Sequence, residues 1–300
     1  MTTDNNIYFG LPGSLTTITW PKGGLADPRS RATSVFTLGS GGQQVWKTLN
    51  GKRSYTLNYG ALDLATFTQL QAYDQGHMGP GPFVLLDPGQ RNQLTANQSS
   101  ATSLTNAADN FTVAGTGGAL SSSSVLVRRG PRSLLWTLSV GSPATATVSL
   151  DPPTTDWPGI PVANRQYSFG FWAQTQVDAS VTLRAVLTWL DAAGNTLSAA
   201  TGSPTAATTS GWTQITVTGT PPASTAFVNA SISASGSTIS AGAKVFMDQF
   251  QLNEGASVDT SWTPGTGVFP VIPISLSEQQ QWMFPDYRVG PVLLLAEVGI

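Results

Sequence analysis

The stretch from Ala192 to Ala243 contains no charged residue, and this feature most restricts what the chain can fold into. A polar stretch with few apolar residues stays disordered because it cannot bury enough apolar surface. Here the apolar residues are present, and they alternate with serine and threonine as they do in strands. Only 10% of all residues are charged, whereas 40% are hydrophobic. The sequence therefore predicts a folded, mainly β protein that can bury a sizeable core.

The charge balance and residue usage exclude several kinds of protein. With a net charge of −2, the chain lacks the basic surface that nucleic-acid binding needs. Arg128, Arg129 and Arg132 form a local cluster, which is more typical of a solvated loop than of a phosphate site. Without cysteine, the chain forms no disulfide or thiolate metal site. Its N-terminus is polar and no stretch reaches the ~20 apolar residues of a membrane span, so we expect neither a signal peptide nor a transmembrane segment.

Residues 1–103 predict a first, β-rich unit with one short helix. Arg53–Tyr59 alternates apolar and polar residues as a half-buried strand does, and Phe83–Leu86 is a short apolar strand. Between these strands, Asp63 is a suitable N-cap for a helix and Gly76 a suitable C-terminal stop. We expect the apolar stripe of this helix to pack against the first of the two strands. The stripe consists of Leu64, Phe67, Leu70 and Tyr73.

Residues 104–256 predict a two-sheet β-sandwich, because short strand-like runs recur there with turn signals at regular spacing. In the run Tyr167–Gln174 the aromatic residues at odd positions would face the core. This alternation leaves Trp172 and Gln174 on the opposite face. In the next strand-like run the same alternation leaves Arg184 facing away from the core.

Residues 257–300 do not continue this regular spacing. Prolines interrupt them, and two or three strands in about 40 residues cannot bury a core of their own. We therefore expect these strands to return to the first unit. The predicted architecture is mainly β, with a discontinuous scaffold domain at 1–103 and 257–300 and an inserted jelly-roll sandwich at 104–256.

Five runs of the second unit carry a resemblance to known families. They are Arg132–Leu138, Val162–Trp172, Val186–Gly194, Gly211–Val217 and Val245–Leu252. In this order they resemble the carbohydrate-binding modules and galactose-binding-like jelly rolls of extracellular enzymes. The resemblance covers most of the unit and implies the jelly-roll fold more specifically than it implies a ligand.

A second resemblance rests on the first unit, on the run Arg53–Tyr59, the helix that follows it, Gly79–Pro88 and Asn97–Ser100. These segments resemble the distal or minor tail proteins of siphophages, in particular those of actinobacteriophages. The resemblance implies a virion protein of the tail tip that is made in the host cytoplasm. It also implies a ring, usually a hexamer, that joins the tail tube protein to the baseplate hub, with inserted carbohydrate-binding-like domains facing outward. We expect the helix stripe and the C-terminal strands to make the contacts between subunits.

Sugar binding by such a module would use an aromatic face together with a few polar groups. Trp172 is the best candidate on a strand, with Gln174 and Arg184 as polar partners. Trp157, in a Pro-rich loop, is the best loop candidate, although it could equally plug the end of the sandwich. The ligand would be a host cell-wall polysaccharide. The remaining tryptophans of this unit are expected in the core: Trp136, Trp189 and Trp212.

The residues needed for catalysis or metal binding are scarce. His77 is the only histidine and there is no Gly-x-Ser-x-Gly elbow, so a serine hydrolase is not expected. The few acidic residues show no evident pair for glycoside hydrolysis, and we expect no enzyme. Asp248 lies where related modules place a calcium ligand, but without other recognisable ligands a structural carboxylate is favoured over structural Ca²⁺. No other cofactor is expected.

Three functions remain open at this point. The first is a structural tail-tip protein that forms a ring and carries a jelly roll. The second is an adhesin whose main function is to bind host-surface glycan. The third, with the least support, is a secreted glycan hydrolase with an accessory module.

Overall fold

The chain folds into two compact units, as a computed structural model shows. The sandwich unit is built on Leu86–Val268, and the scaffold unit on Thr16–Leu85 and Phe269–Ile300 together with Asn5–Leu11. The described residues are 6–21, 25–26, 29–30, 33–37, 42–47, 52–101, 109–114, 117–139, 146–176, 181–235, 242–284 and 287–298.

The elements follow one another along the chain in three groups. Up to Leu86 they are β1 (Ile7–Leu11), β2 (Ser14–Ile18), β3 (Leu25–Ala26), β4 (Arg29–Ser30), β5 (Thr33–Thr37), β6 (Gln43–Lys47), β7 (Lys52–Asn58), β8 (Ala61–Asp63), α1 (Leu64–Asp74) and β9 (Phe83–Leu86). The second group is α2 (Ala96–Ser100), β10 (Phe111–Ala114), β11 (Ala119–Ser123), β12 (Ser133–Thr137), β13 (Thr147–Leu150), β14 (Ile160–Pro161), β15 (Tyr167–Thr175), β16 (Thr182–Leu190), β17 (Thr196–Thr201), β18 (Thr205–Ala206), β19 (Thr213–Gly219), β20 (Phe227–Ser235) and β21 (Lys244–Glu254). The last two strands are β22 (Pro270–Phe284) and β23 (Tyr287–Glu297).

The C-terminal strands lie in the middle of the scaffold sheet. Its order is β2-β1-β9-β22-β23-β7-β3, with β4 paired to β7 and β8 paired to β23. This confirms the prediction that a β-rich first unit is completed by C-terminal strands. Strand β22 pairs with β9 through Pro270 opposite Val84 and Val271 opposite Phe83. The sandwich is therefore inserted in the sequence between two hydrogen-bonded neighbours of one sheet.

Helix α1 begins and ends where the sequence predicts. The Asp63 carboxylate accepts hydrogen bonds from the backbone N–H of Thr66 at 2.8 Å and from its hydroxyl at 2.7 Å. These bonds hold the pKa of Asp63 below its ordinary value. Gly76 follows the helix with φ +74°, a conformation that favours glycine.

The partner strands of α1 differ from the prediction. The helix packs mainly against β22, β23 and β8, whereas the sequence analysis placed it on β7. The physical reason is the sheet order, because the C-terminal hairpin occupies the place between β9 and β7. The ring of Tyr73 lies 4.8 Å from that of Phe9 and 4.9 Å from that of Phe83, measured between centroids. This aromatic group closes the core of the scaffold unit.

A buried ion pair joins β23, the last strand, to β7. The Nε of Arg53 on β7 lies 2.9 Å from Oε1 of Glu297 on β23, and both side chains are buried. Glu297 also accepts hydrogen bonds from the backbone N–H of Arg53 at 2.8 Å and from the Tyr55 hydroxyl at 3.1 Å. The carboxylate is thus held by three donors of β7.

The sandwich unit consists of two antiparallel sheets, as predicted. One sheet has the order β11-β12-β21-β15-β19, and the other has β10-β13-β20-β16-β17 with β14 and β18 at its sides. Their facing side chains form one core that includes Trp136 and Trp189, whereas Trp212 is half-buried. The predicted alternation is confirmed, since the odd-numbered residues Tyr167 to Ala173 all enter this core.

The sandwich unit extends beyond the bounds 104–256 because a preceding segment is bonded to its last strand. The side-chain amide of Asn92 donates to the carbonyls of Phe250 at 3.0 Å and Thr263 at 2.8 Å. Its Oδ1 accepts from the backbone N–H of Leu94 at 3.2 Å and Leu252 at 3.1 Å. One buried amide therefore satisfies four backbone groups and joins three segments of this unit.

Candidate functional site

The outer face of the five-stranded sheet carries Trp172. This residue lies on β15, opposite Asp248 of β21 and Gln214 of β19. Its neighbours Phe171 and Ala173 enter the core, so the indole points away from it and is partly exposed. This outward orientation agrees with the prediction from the alternation along the strand.

An irregularity in β21 brings two polar side chains to the same place. The pairing of β15 with β21 shifts register between Gly170 and Trp172. Met247 and Phe250 both enter the core although they are three residues apart. The two residues between them, Asp248 and Gln249, both bind Arg128 in the loop before β12. Gln249 adopts a left-handed φ of +56°. Strained backbone of this kind is common at functional sites.

The loop that precedes β12 is anchored on the buried Asp248 carboxylate. Oδ2 accepts from the backbone N–H of Arg128 at 3.0 Å and of Arg129 at 2.9 Å. Oδ1 accepts from the backbone N–H of Gln249 at 2.7 Å. Burial raises the pKa of Asp248, and the three N–H groups oppose this effect. The loop is thus held through its backbone, which leaves its arginine side chains for other contacts.

The two arginine side chains each lie on a tryptophan ring. The Arg128 guanidinium carbon is 3.5 Å from the centroid of the Trp172 ring, and its Nε donates to Oε1 of Gln249 at 2.6 Å. The Arg129 guanidinium carbon is 5.2 Å from the centroid of Trp262. We call these four residues with Asp248 and Gln249 the Arg–Trp cluster. Arg128 and Arg129 are both exposed, as expected for a solvated loop, but each guanidinium also lies on an aromatic face.

The surroundings of Asp248 do not fit a cation. A calcium ion needs six to eight oxygen ligands, whereas the carboxylate of Asp248 faces three N–H donors and the charge of Arg128. Within the described ranges, no group of three or more His, Cys, Asp or Glu side chains could hold a metal ion. The contacts of Asp248 therefore support a structural role, in which it anchors the loop before β12.

The other predicted sugar-binding residues do not all meet at this site. Gln174 lies on the same face of β15 as Trp172, and its Nε2 donates to the Thr209 carbonyl at 3.3 Å. Arg184 lies on β16, between two core residues, so it faces outward from the other sheet. Trp157 is only 8% exposed and its ring lies 6.2 Å from that of Phe227. The structure thus separates Arg184 and Trp157 from Trp172, and Trp157 packs against Phe227 with little of its ring exposed.

Of the four helix residues predicted for assembly, three are buried and one is exposed. Phe67, Leu70 and Tyr73 belong to the core of the scaffold unit. Leu64 is 38% exposed. The assembly prediction is therefore corrected for the three buried side chains, which contact their own unit, and it stays a prediction for Leu64.

Comparisons with known proteins give no family. No protein-family model and no curated protein matches the chain. The CBM22-1 xylan-binding domain of Paenibacillus barcinonensis Xyn10C is 16% identical over 52% of this chain and 91% of that chain, with a TM-score of 0.39. TmCBM61 in complex with beta-1,4-galactotriose is 17% identical over 55% of this chain and 99% of that chain, with a TM-score of 0.38.

A phage protein is also among the similar structures. The enzymatically active domain of tailspike protein 4 from bacteriophage CBA120 is 14% identical over 55% of this chain and 21% of that chain, with a TM-score of 0.39. At TM-scores this low, these likenesses carry no inference about ligand or partner.

In the part of the chain that the structure describes, no helix is long and apolar enough to span a membrane.

Proposed function

We propose that this chain is a structural protein of a phage tail tip, in which the scaffold unit forms a ring, a hexamer as the sequence resemblance implies, and the sandwich unit binds host-surface glycan. The observation that carries the proposal is the insertion of a complete sandwich between β9 and β22 of one scaffold sheet. This arrangement suits a carrier that displays a separately folded binding module.

The distribution of exposed apolar side chains supports a role of the scaffold unit in assembly. Nine large apolar residues are exposed among the described residues, and the sandwich unit holds only Val125 and Leu197 of these. Exposed apolar surface marks protein interfaces where it is contiguous, and Val35 and Phe36 are adjacent in β5. The scaffold unit holds the other seven: Leu11, Trp20, Val35, Phe36, Leu64, Met78 and Ile274.

The ring is tested with the full chain by native mass spectrometry and negative-stain imaging. We expect a closed ring, with six copies as the first expectation, and a loss of rings when Val35 and Phe36 of β5 are both replaced by serine. These side chains are 55% and 54% exposed, so the change removes apolar contact area without opening the core. Leu197→Ser, on the exposed β17, is the control and should leave the rings intact. A strictly monomeric chain at high concentration would contradict the assembly role.

Glycan binding is tested at the Trp172 face with host cell-wall polysaccharide. We expect Trp172→Ala to weaken binding at least about tenfold, because the ring that supports the Arg128 guanidinium is lost. Arg184→Ala, on the outer face of the other sheet, should leave binding unchanged. The reverse pattern would move the site to the seven-stranded sheet. Release of reducing sugar during the titration would favour a hydrolase, and binding by a monomer without rings would favour an adhesin.

A further inference from the structure

We propose that the Arg–Trp cluster binds an anionic glycan, a polymer whose sugars carry carboxylate or phosphodiester groups, through the guanidinium of Arg128. This inference rests on the proposed function, since it names the class of glycan that the sandwich unit would take. It follows from three properties of the cluster: the covered indole face, the unused donors of Arg128 and the local excess of positive charge.

The first property is that a cation already occupies the stacking face of Trp172. With the guanidinium carbon 3.5 Å from the ring centroid, Arg128 lies where a neutral sugar ring would have to stack. A neutral sugar could use this face only after displacing Arg128 from both the ring and Gln249. The surface that the cluster presents to a ligand is therefore a guanidinium supported from below by an indole.

The second property is that Arg128 keeps its best donors for a ligand. Its Nε is bound to Gln249, whereas no group of the described residues accepts a hydrogen bond from its two Nη atoms. A guanidinium binds carboxylate and phosphate oxygens in a two-pronged geometry that a lysine cannot reproduce. Stacking on Trp172 and the bond to Gln249 fix the plane of the guanidinium, so little side-chain entropy remains to be lost on binding.

The third property is the charge of the cluster. It contains two guanidinium groups and one carboxylate, and both oxygens of that carboxylate already accept backbone N–H groups. In the sequence no acidic residue occurs between Asp109 and Asp151, so the loop itself adds no compensating charge. The exposed Arg129 beside Trp262 extends the positive surface. An anionic polymer would therefore be attracted to this face, and the attraction would weaken with added salt.

The experiment compares two forms of one polymer with the full chain. Polygalacturonate and its fully methyl-esterified form share a backbone and differ in the charge of the carboxyl group. We expect the affinity for the charged form to exceed that for the ester by at least about tenfold. Added salt should reduce this difference. Poly(glycerol phosphate) is the parallel probe, and it distinguishes a phosphodiester ligand from a carboxylate ligand.

Two variants and one control assign the effect to the cluster. Arg128→Ala should lower the affinity for the charged polymer to that for the ester, and Arg128→Lys should recover only part of it. The backbone N–H of residue 128 still binds Asp248 in both variants, so the loop anchor is retained. Lys52→Ala removes one exposed positive charge from the scaffold unit and should change nothing.

The outcomes separate this inference from the proposed function. Equal affinity for the two polymers, or unchanged or stronger binding by Arg128→Ala, would overturn the anionic ligand. Stronger binding of a neutral glycan after Arg128→Ala, together with its loss in Trp172→Ala, would retain glycan binding while refuting this inference. No binding to any charged or neutral polysaccharide would refute both.

Discussion

Replacing Glu297 by alanine is expected to destabilise the scaffold unit by about 3–5 kcal/mol, because it leaves a buried guanidinium without its counter-charge. Arg53 has 5% of its side chain exposed, and Glu297 accepts from its Nε, from its backbone N–H and from the Tyr55 hydroxyl. The loss should appear as a lower midpoint of urea unfolding. It should also appear as faster hydrogen exchange of the amides that pair β7 with β23.

A more exposed ion pair of the same chain is the control for this prediction. Glu254 lies 3.4 Å from Arg165, with roughly a quarter of each side chain exposed. Glu254→Ala should cost no more than about 1 kcal/mol, since a pair that water reaches contributes less than a fully buried one. If the two glutamate variants unfold at the same urea concentration, the buried pair does not hold the scaffold sheet together. Replacing Arg53 and Glu297 together by leucine should be milder than Glu297→Ala alone.

Replacing Asn92 by alanine is expected to destabilise the sandwich unit by about 3–6 kcal/mol, since it leaves two carbonyls and two N–H groups without partners. These groups belong to Leu94, Phe250, Leu252 and Thr263. Thermal unfolding measures the total effect. Hydrogen exchange at the Leu252 amide measures the local one, because that N–H loses its acceptor directly.

Asn195→Ala provides the matched control. Asn195 is exposed in the turn after β16, and its Nδ2 donates to Asp191 at 3.0 Å. Water can replace that bond, so the expected cost is about 1 kcal/mol or less. A cost for Asn92→Ala as small as this would mean that water reaches the four backbone groups.

The strands and their faces could be predicted from the sequence where one face of a sheet is buried. Alternation along β15 indicated that Trp172 faces outward, and the spacing of apolar residues indicated α1 between Asp63 and Gly76. Chain length predicts that the C-terminal strands join the first unit, because so few residues cannot form a core of their own. Each of these predictions depends on local periodicity or on chain length, which a single sequence displays.

The candidate site could be predicted only in part. The stack of Arg128 on Trp172 depends on a bulged strand more than a hundred residues further along the chain, and no periodicity indicates it. The burial of Asn92 depends on a similar long-range contact.

The helix stripe shows a different limit of prediction from sequence. Apolar spacing cannot distinguish a stripe that contacts its own unit from one that contacts a neighbouring subunit. The structure assigns Phe67 and Leu70 to the core.

The sandwich insertion leaves the scaffold sheet after β9 and returns to it at β22, and these two strands pair with each other. Because Val84 lies opposite Pro270, the points where the chain leaves and re-enters the scaffold sheet are neighbouring strands. The entropic cost of closing a loop between two such points grows only with the logarithm of loop length, by about 0.6 kcal/mol for each doubling. A long insertion whose own ends are close together therefore adds little strain to the sheet. This junction could therefore accept inserted domains of very different length without a change in the scaffold sheet.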